Sequence, residues 1–310
     1  MPTDTTHATR RATASMGSFG AVRTLAIGET ALAYREQGAG EPVVFVHGSA
    51  SDLRSWDQQL PAIATHYRAI AYSRRYARPN QDIEPDVEDQ MLLHVYDLAA
   101  MLRLLDAAPA HLVGHSWGAF ICLETAIRHP ELVRSLVLAE PPVLPLYTSI
   151  PPRARELLAL LARRPRTTLT ILTFAARTFA PACRAFRRGD DERALEIFGH
   201  GVLGRETYER LPEARRQQAR ENLNTVRAQL LGAPFPPLSD EEVRAVTAPT
   251  LLIAGEHSPA YMLRLTDRLQ QLLPNPERVD ITGASHAMTE EQPDAVNEAI
   301  LGFLARTPGG

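Results

Sequence analysis

Short apolar runs alternate with longer segments of helical periodicity along most of the chain. That alternation predicts a mainly parallel sheet with helices on both faces. The opening differs: residues 21–27 and 31–36 read as two half-buried strands joined at Gly28-Glu29, a hairpin. Residues 42–46 (PVVFV) form a continuous apolar run, the pattern of a strand covered on both faces. Further strands are expected at 68–72, 110–114, 135–139, 249–255 and 277–281, and helices at 55–65, 89–106, 117–129, 260–273 and 293–305. In the second of these helices Met91, Leu92, Val95, Leu98, Leu102 and Leu105 share one side. Residues 73–88 read as a polar, Pro-containing loop. Between 143 and 245 the alternation stops, and Arg- and Leu-rich helical stretches contain no convincing strand. The expected organisation is a disordered tail at 1–18, an α/β core at 19–142 and 246–310, and a helical cap at 143–245.

The composition is that of an ordinary globular protein: 310 residues, 45% hydrophobic and 22% charged. A formal net charge of −3 argues against a nucleic-acid partner. The chain contains no lysine, so all 33 basic residues are arginine. Schiff-base chemistry and a phosphate-loop lysine are therefore excluded. Cys122 and Cys183 have neither metal nor disulfide spacing and read as free thiols, which suits a reducing cytoplasm. No stretch is apolar for long enough to span a bilayer, and residues 1–17 lack the apolar centre of a secretory signal. A cytoplasmic protein without a membrane partner is expected.

Chemistry concentrates at three turns. Gly114-His115-Ser116-Trp117-Gly118 follows one expected strand and opens a helix, the setting that a G-x-S-x-G nucleophile turn requires. The flanking glycines suit a turn with no room for a Cβ, and the helix N-terminus favours developing negative charge near Ser116. His47-Gly48-Ser49 ends an earlier buried strand. The backbone N–H of Trp117 and that of Ser49 are the candidate oxyanion donors, with Ala50 as an alternative to Ser49. The His47 side chain reads as packed and hydrogen-bonded rather than reactive. Gly283-Ala284-Ser285-His286 follows the last expected strand, at the same carboxyl edge of the sheet. His286 is the candidate general base. Two carboxylates compete to orient it: Glu140 after the strand that follows the nucleophile helix, which is preferred, and Glu256 after the next one.

These motifs, in this order over residues 21–305, resemble the α/β-hydrolase superfamily. The resemblance implies an eight-stranded sheet, a helical cap entering after the sixth strand at Glu140, and a Ser–His–acid mechanism. Two departures stand out. Most members carry the acid a few residues after the glycine that ends the seventh strand, and Ser258 occupies that place here. A minority, including many haloalkane dehalogenases, carry it after the sixth strand, where Glu140 stands. The nucleophile position holds Ser and not Asp, which argues against dehalogenase and epoxide-hydrolase chemistry. The stretch Ser73-Arg74-Arg75-Tyr76-Ala77-Arg78-Pro79 replaces a common Asp-x-Arg-Gly-x-Gly pattern, putting that loop's geometry in question.

In the cap, Ile171, Leu172, Phe174, Phe179, Phe186 and Phe198 are expected to split between the cap's own core and an apolar substrate pocket. Trp117 and Tyr147 are placed near the site. Arg184, Arg187 and Arg188 read as a solvated face. No dinucleotide fingerprint, phosphate loop or metal-ligand cluster is present, so no cofactor and no metal are expected. The expected activity is hydrolysis of a carboxyl ester or lactone of a small to medium, largely apolar molecule. The alternatives are carbon–carbon bond hydrolysis or cofactor-free perhydrolysis, and then a non-catalytic receptor on the same scaffold.

Overall fold

A computed structural model describes residues 20–84 and 87–307. The expected tail at 1–18 lies outside the described residues. Eight strands form one sheet: β1 (Arg23–Ile27), β2 (Thr30–Gln37), β3 (Pro42–Val46), β4 (Arg68–Tyr72), β5 (Ala110–His115), β6 (Val133–Ala139), β7 (Thr250–Gly255) and β8 (Glu277–Ile281). Their order is β1-β2-β4-β3-β5-β6-β7-β8. β1 pairs antiparallel with β2, and β2 antiparallel with β4, while every other neighbouring pair is parallel.

Side chains alternate across a strand, so each continuous apolar run feeds two cores. Val44, Val46, Ile70, Leu112, Leu136 and Leu252 face the helices Met91–Leu104, Trp117–Arg128 and Ala260–Leu272. Their immediate neighbours Val43, Phe45, Ala69, Val113, Val137 and Leu251 face Trp56, Leu60, Ile63 and the helix Pro293–Arg306. These twelve completely or almost completely enclosed side chains in the five inner strands explain why those strands read as unbroken hydrophobic runs.

The helix expected over 55–65 is a correction. A 3₁₀ turn, Leu53–Trp56, begins where the Asp52 carboxylate accepts the Arg54 N–H, and a separate helical turn spans Leu60–Ile63. Pro61 has no N–H to donate to the preceding turn, so a continuous helix would leave a gap there.

Between β6 and β7 the chain is helical, from Ala154–Arg163 through Asp191–Leu203, Glu213–Glu221 and Leu223–Leu231 to Asp240–Arg244. Cys183, Phe186, Ala194, Leu195, Val226 and Leu230 form a separate apolar cluster within this insertion. Its end behaves differently: Leu238, Val243 and Val246 pack into the core of the sheet. Arg184, Arg187 and Arg188 are exposed. Cys122 and Cys183 are buried and unpaired. Among the described residues, no helix is long and apolar enough to cross a membrane.

Candidate active site

The carboxyl ends of four adjacent strands supply the site. Ser116 follows β5, Glu140 follows β6, and the loop carrying His286 follows β8 and crosses back over the end of β7.

Ser116 adopts φ 53° and ψ −120°, a strained conformation for a residue with a Cβ. Its N–H donates to the Ala139 carbonyl at 2.8 Å, which ties the turn to β6. The two glycines of the motif are needed for contact rather than for rotation. A Cβ on Gly118 would lie 2.0 Å from the Val46 carbonyl oxygen, and one on Gly114 would lie 2.5 Å from the Ala119 Cα. Trp117 is the first residue of its helix, so its N–H has no partner within the helix. The indole ring turns the other way, packing on Phe235 with centroids 4.8 Å apart. The Trp117 ring is therefore not part of the cavity wall.

His286 is buried, and its Nδ1 is hydrogen-bonded to the Glu140 carboxylate, itself completely buried. The other Glu140 oxygen accepts the Gly255 N–H at 2.9 Å. His286 Nε2 is buried without a hydrogen-bond partner, and His286 lines the cavity that Ser116 also lines. Glu256 stands elsewhere: its exposed side chain accepts the Gly283 N–H at 2.8 Å. Ser258, at the position where relatives usually carry the acid, is buried with no partner for its hydroxyl.

Sequence reasoning passes over His115. Its ring lies against that of His286, with centroids 4.6 Å apart, and its Nε2–H donates to the His286 carbonyl at 2.8 Å. Burial, reinforced by the neighbouring His286, lowers its pKa to about 3, so it is a neutral support for the second imidazole. The only signal in the sequence is its place beside Ser116 in the turn.

The His47 ring is wholly buried: Nδ1–H donates to the Gly48 carbonyl at 2.9 Å, and Nε2 accepts the Arg74 N–H at 2.9 Å. Burial, together with the Arg74 charge, lowers its pKa well below the usual histidine range. Gly48 packs against the nucleophile turn, since a Cβ there would meet the Ser116 Cβ at 3.2 Å. Ser49 and Ala50 both line the cavity, and Ala50 has φ 52°. In the unusual 73–79 stretch, Tyr76 holds φ 68°, a left-handed conformation that the relatives' glycine would adopt without strain.

The cavity measures about 80 Å³, with apolar walls from Leu195, Phe198, Val202, Leu203 and Leu211 of the insertion. Among the six apolar residues expected to divide between core and pocket, only Phe198 lines this cavity. Phe186 belongs to the insertion's cluster, Phe174 stacks on Tyr261 at 4.1 Å, and Leu172 and Phe179 are exposed. Tyr147 is also away from the cavity, with its hydroxyl on the Arg264 carbonyl at 3.2 Å. One ion pair stands in the wall, Arg215 with Glu290 at 2.8 Å. Among the described residues, no group of three or more His, Cys, Asp or Glu side chains is placed to hold a metal ion.

A family model described as "Alpha/beta hydrolase family" matches residues 43–299, and the chain belongs to that family. Over 300 residues it is 30% identical to a Mycobacterium tuberculosis protein named "Putative non-heme bromoperoxidase BpoC", covering 88% of this chain and 97% of that one. It is 28% identical to epoxide hydrolase A of the same organism, covering 86% and 92%. Among solved structures, the enol-lactonase of Burkholderia xenovorans LB400 superposes with a TM-score of 0.69 at 18% identity, over 91% of this chain and all of that one.

Proposed function

We propose that this hydrolase-family chain is a serine hydrolase that cleaves a carboxyl ester or lactone of a small to medium, largely apolar molecule through an acyl-enzyme. One observation carries the reading: His286 is anchored through Nδ1 to a buried carboxylate, its Nε2 has no hydrogen-bond partner, and the residue lines the same cavity as a strained serine at a helix N-terminus.

The chemistry follows from those positions. Ser116 Oγ attacks the substrate carbonyl carbon, and its proton passes to His286 Nε2. Glu140 keeps the Nδ1–H tautomer and stabilises the imidazolium. The carbonyl oxygen becomes an oxyanion, which accepts the backbone N–H groups of Trp117 and Ser49, each worth about 3 kcal/mol in the transition state. His286 returns the proton to the departing alkoxide. Water then attacks the acyl group with His286 as base, releasing the acid and restoring Ser116. The apolar walls suit an acyl or alkyl group without charge.

The two named relatives bear on the reading differently. Epoxide hydrolase A suggests ring opening, but this chain presents Ser, not Asp, at the nucleophile turn. The bromoperoxidase name favours a second reading, in which hydrogen peroxide replaces water in the second half-reaction and leaves with the acyl group as a peracid.

The test is hydrolysis of short- and medium-chain p-nitrophenyl esters by the wild type and by Ser116→Ala, side by side. Loss of turnover by a factor on the order of 10⁴ or more is expected. Full activity in the mutant would sink the nucleophile assignment. Adding hydrogen peroxide and assaying for peracid separates the second reading from the first.

A further inference from the structure

The candidate oxyanion turn is gripped from several sides, and much of the grip comes from the helical insertion. The peptide between Gly48 and Ser49 is the first element. Its carbonyl accepts both the His47 Nδ1–H at 2.9 Å and the Arg74 Nη2–H at 3.0 Å. A trans peptide is planar, so a carbonyl held on one side aims the Ser49 N–H to the other. The Ser49 side chain is the second element. Its hydroxyl donates to Gln229 Oε1 at 2.7 Å, and Gln229 Nε2 donates to Asp89 Oδ2 at 2.7 Å. The other Asp89 oxygen is bonded to His94 Nε2. Gln229 is on the helix Leu223–Leu231, 180 residues beyond Ser49, and is 5% exposed. Further along the turn, Arg215 Nη1 donates to the Ala50 carbonyl at 2.7 Å, while Gln218 and Asn222 each donate to Asp52.

A buried glutamine used at both ends of its amide has only one productive orientation here. Reversing the amide would face its nitrogen to Ser49 and its oxygen to an ionised carboxylate. Asp89 is held in that ionised form, because its bonds to His94, the Arg74 charge and Gln229 outweigh its burial. The buried carboxylate therefore orients Gln229, and Gln229 orients Ser49. An oxyanion donor is effective only when it already points to where the charge will develop.

Resting on the serine-hydrolase reading above, we infer that Gln229 is a positioning residue, through which the insertion sets the direction of the Ser49 N–H. The insertion thus shapes the transition-state contact as well as the pocket wall. Loosening the link lowers the rate of the chemical step and leaves initial ligand binding almost unchanged.

The experiment follows phosphonylation of Ser116 by a fluorophosphonate probe, whose P=O oxygen takes the oxyanion position as Ser116 Oγ bonds to phosphorus, its proton passes to His286 and fluoride leaves. It needs no knowledge of the natural substrate and separates the maximal rate kinact from the half-saturating concentration KI. Gln229→Met and Ser49→Ala are each expected to lower kinact about tenfold, less than loss of a whole donor, with KI within about twofold. The double variant is expected to fall no further than the lower single one, because both changes remove the same link. Ser49→Thr, which keeps a hydroxyl, is expected to recover part of the rate. Wild-type kinact in folded Ser49→Ala would overturn the inference, and this small change keeps the test available even where Gln229→Met fails to fold. Multiplicative losses in the double variant, or a rise in KI alone, would overturn it as well. A wild-type protein that the probe never labels, or labels equally in Ser116→Ala, would defeat the hydrolase reading itself.

Discussion

Glu140 and Glu256 begin the loops after neighbouring strands, and each accepts a backbone N–H, from Gly255 and Gly283 respectively. Yet one is sealed against His286 and the other is exposed to solvent. The difference comes from how the histidine loop travels. It leaves β8 and passes over the end of β7, where His257 N–H donates to the Ala284 carbonyl at 2.8 Å. Gly255 makes the crossing possible, since a Cβ there would lie 2.3 Å from the Ser285 carbonyl oxygen. Beyond the crossing the imidazole meets the end of β6. Glu140 meets it there with φ 46°, turned inward, whereas Glu256 stays at the base of the loop. Two residues of one type, one strand apart, are thus given different surroundings by a single backbone crossing.

The largest test of this contrast is Glu140→Gln. An amide can donate to Nδ1 and force the proton onto Nε2, where the proposed mechanism needs an acceptor for the Ser116 proton. A drop of roughly 10⁴-fold in kcat is expected, with the fold retained by circular dichroism. A drop of less than tenfold would break the comparison.

Gly255→Ala attacks the crossing itself. The added Cβ meets backbone, which cannot swing aside, so a loss of about 1–3 kcal/mol in urea unfolding is expected. Unchanged stability together with unchanged activity would mean that the loop has another path to Glu140.

Acid probes the buried side through His115. Its folded pKa of about 3 lies below the usual histidine value near 6.5. Between those values the unfolded chain binds a proton that the folded one refuses. Stability therefore falls as pH drops below about 6.5, by up to about 1.4 kcal/mol per pH unit from this group. His47, lowered in the same direction, adds to the slope. Urea midpoints from pH 7 to 5 should show the decline, and His115→Gln should flatten it by about one proton. An unaltered slope in that variant would remove His115 from the account.

Glu256→Gln should be the smallest effect, because the amide oxygen can still accept the Gly283 N–H. Activity within about twofold of wild type and a stability change inside about 0.5 kcal/mol are expected. A large loss of kcat would reverse the roles of the two glutamates.

Much of the scaffold was legible before any coordinates. The runs 42–46, 68–72 and 277–281 match β3, β4 and β8 at both ends. The turn around Ser116 was equally readable, because its glycines, strand and helix are contiguous. The helix expected at 55–65 misled, because Pro61 and the Asp52 cap outweighed the spacing of apolar positions. The cavity lining was barely legible: the six apolar residues singled out in the insertion contribute Phe198 alone, while Leu195, Val202 and Leu211 went unremarked.

What the sequence determined by itself is local: where each strand begins, where the chain turns too tightly for a side chain, and which serine, histidine and acids reach one edge of the sheet. What only the tertiary structure decided joins residues far apart: Glu140 to His286 across 146 positions, Gly255 to Glu140 across 115, and Ser49 to Gln229 across 180. The physical reason is the range of the forces involved. Backbone sterics and hydrophobic periodicity act within a few residues and leave their pattern in the chain. A hydrogen bond between side chains needs atoms within about 3 Å, and that proximity exists only after the whole sheet has closed around it.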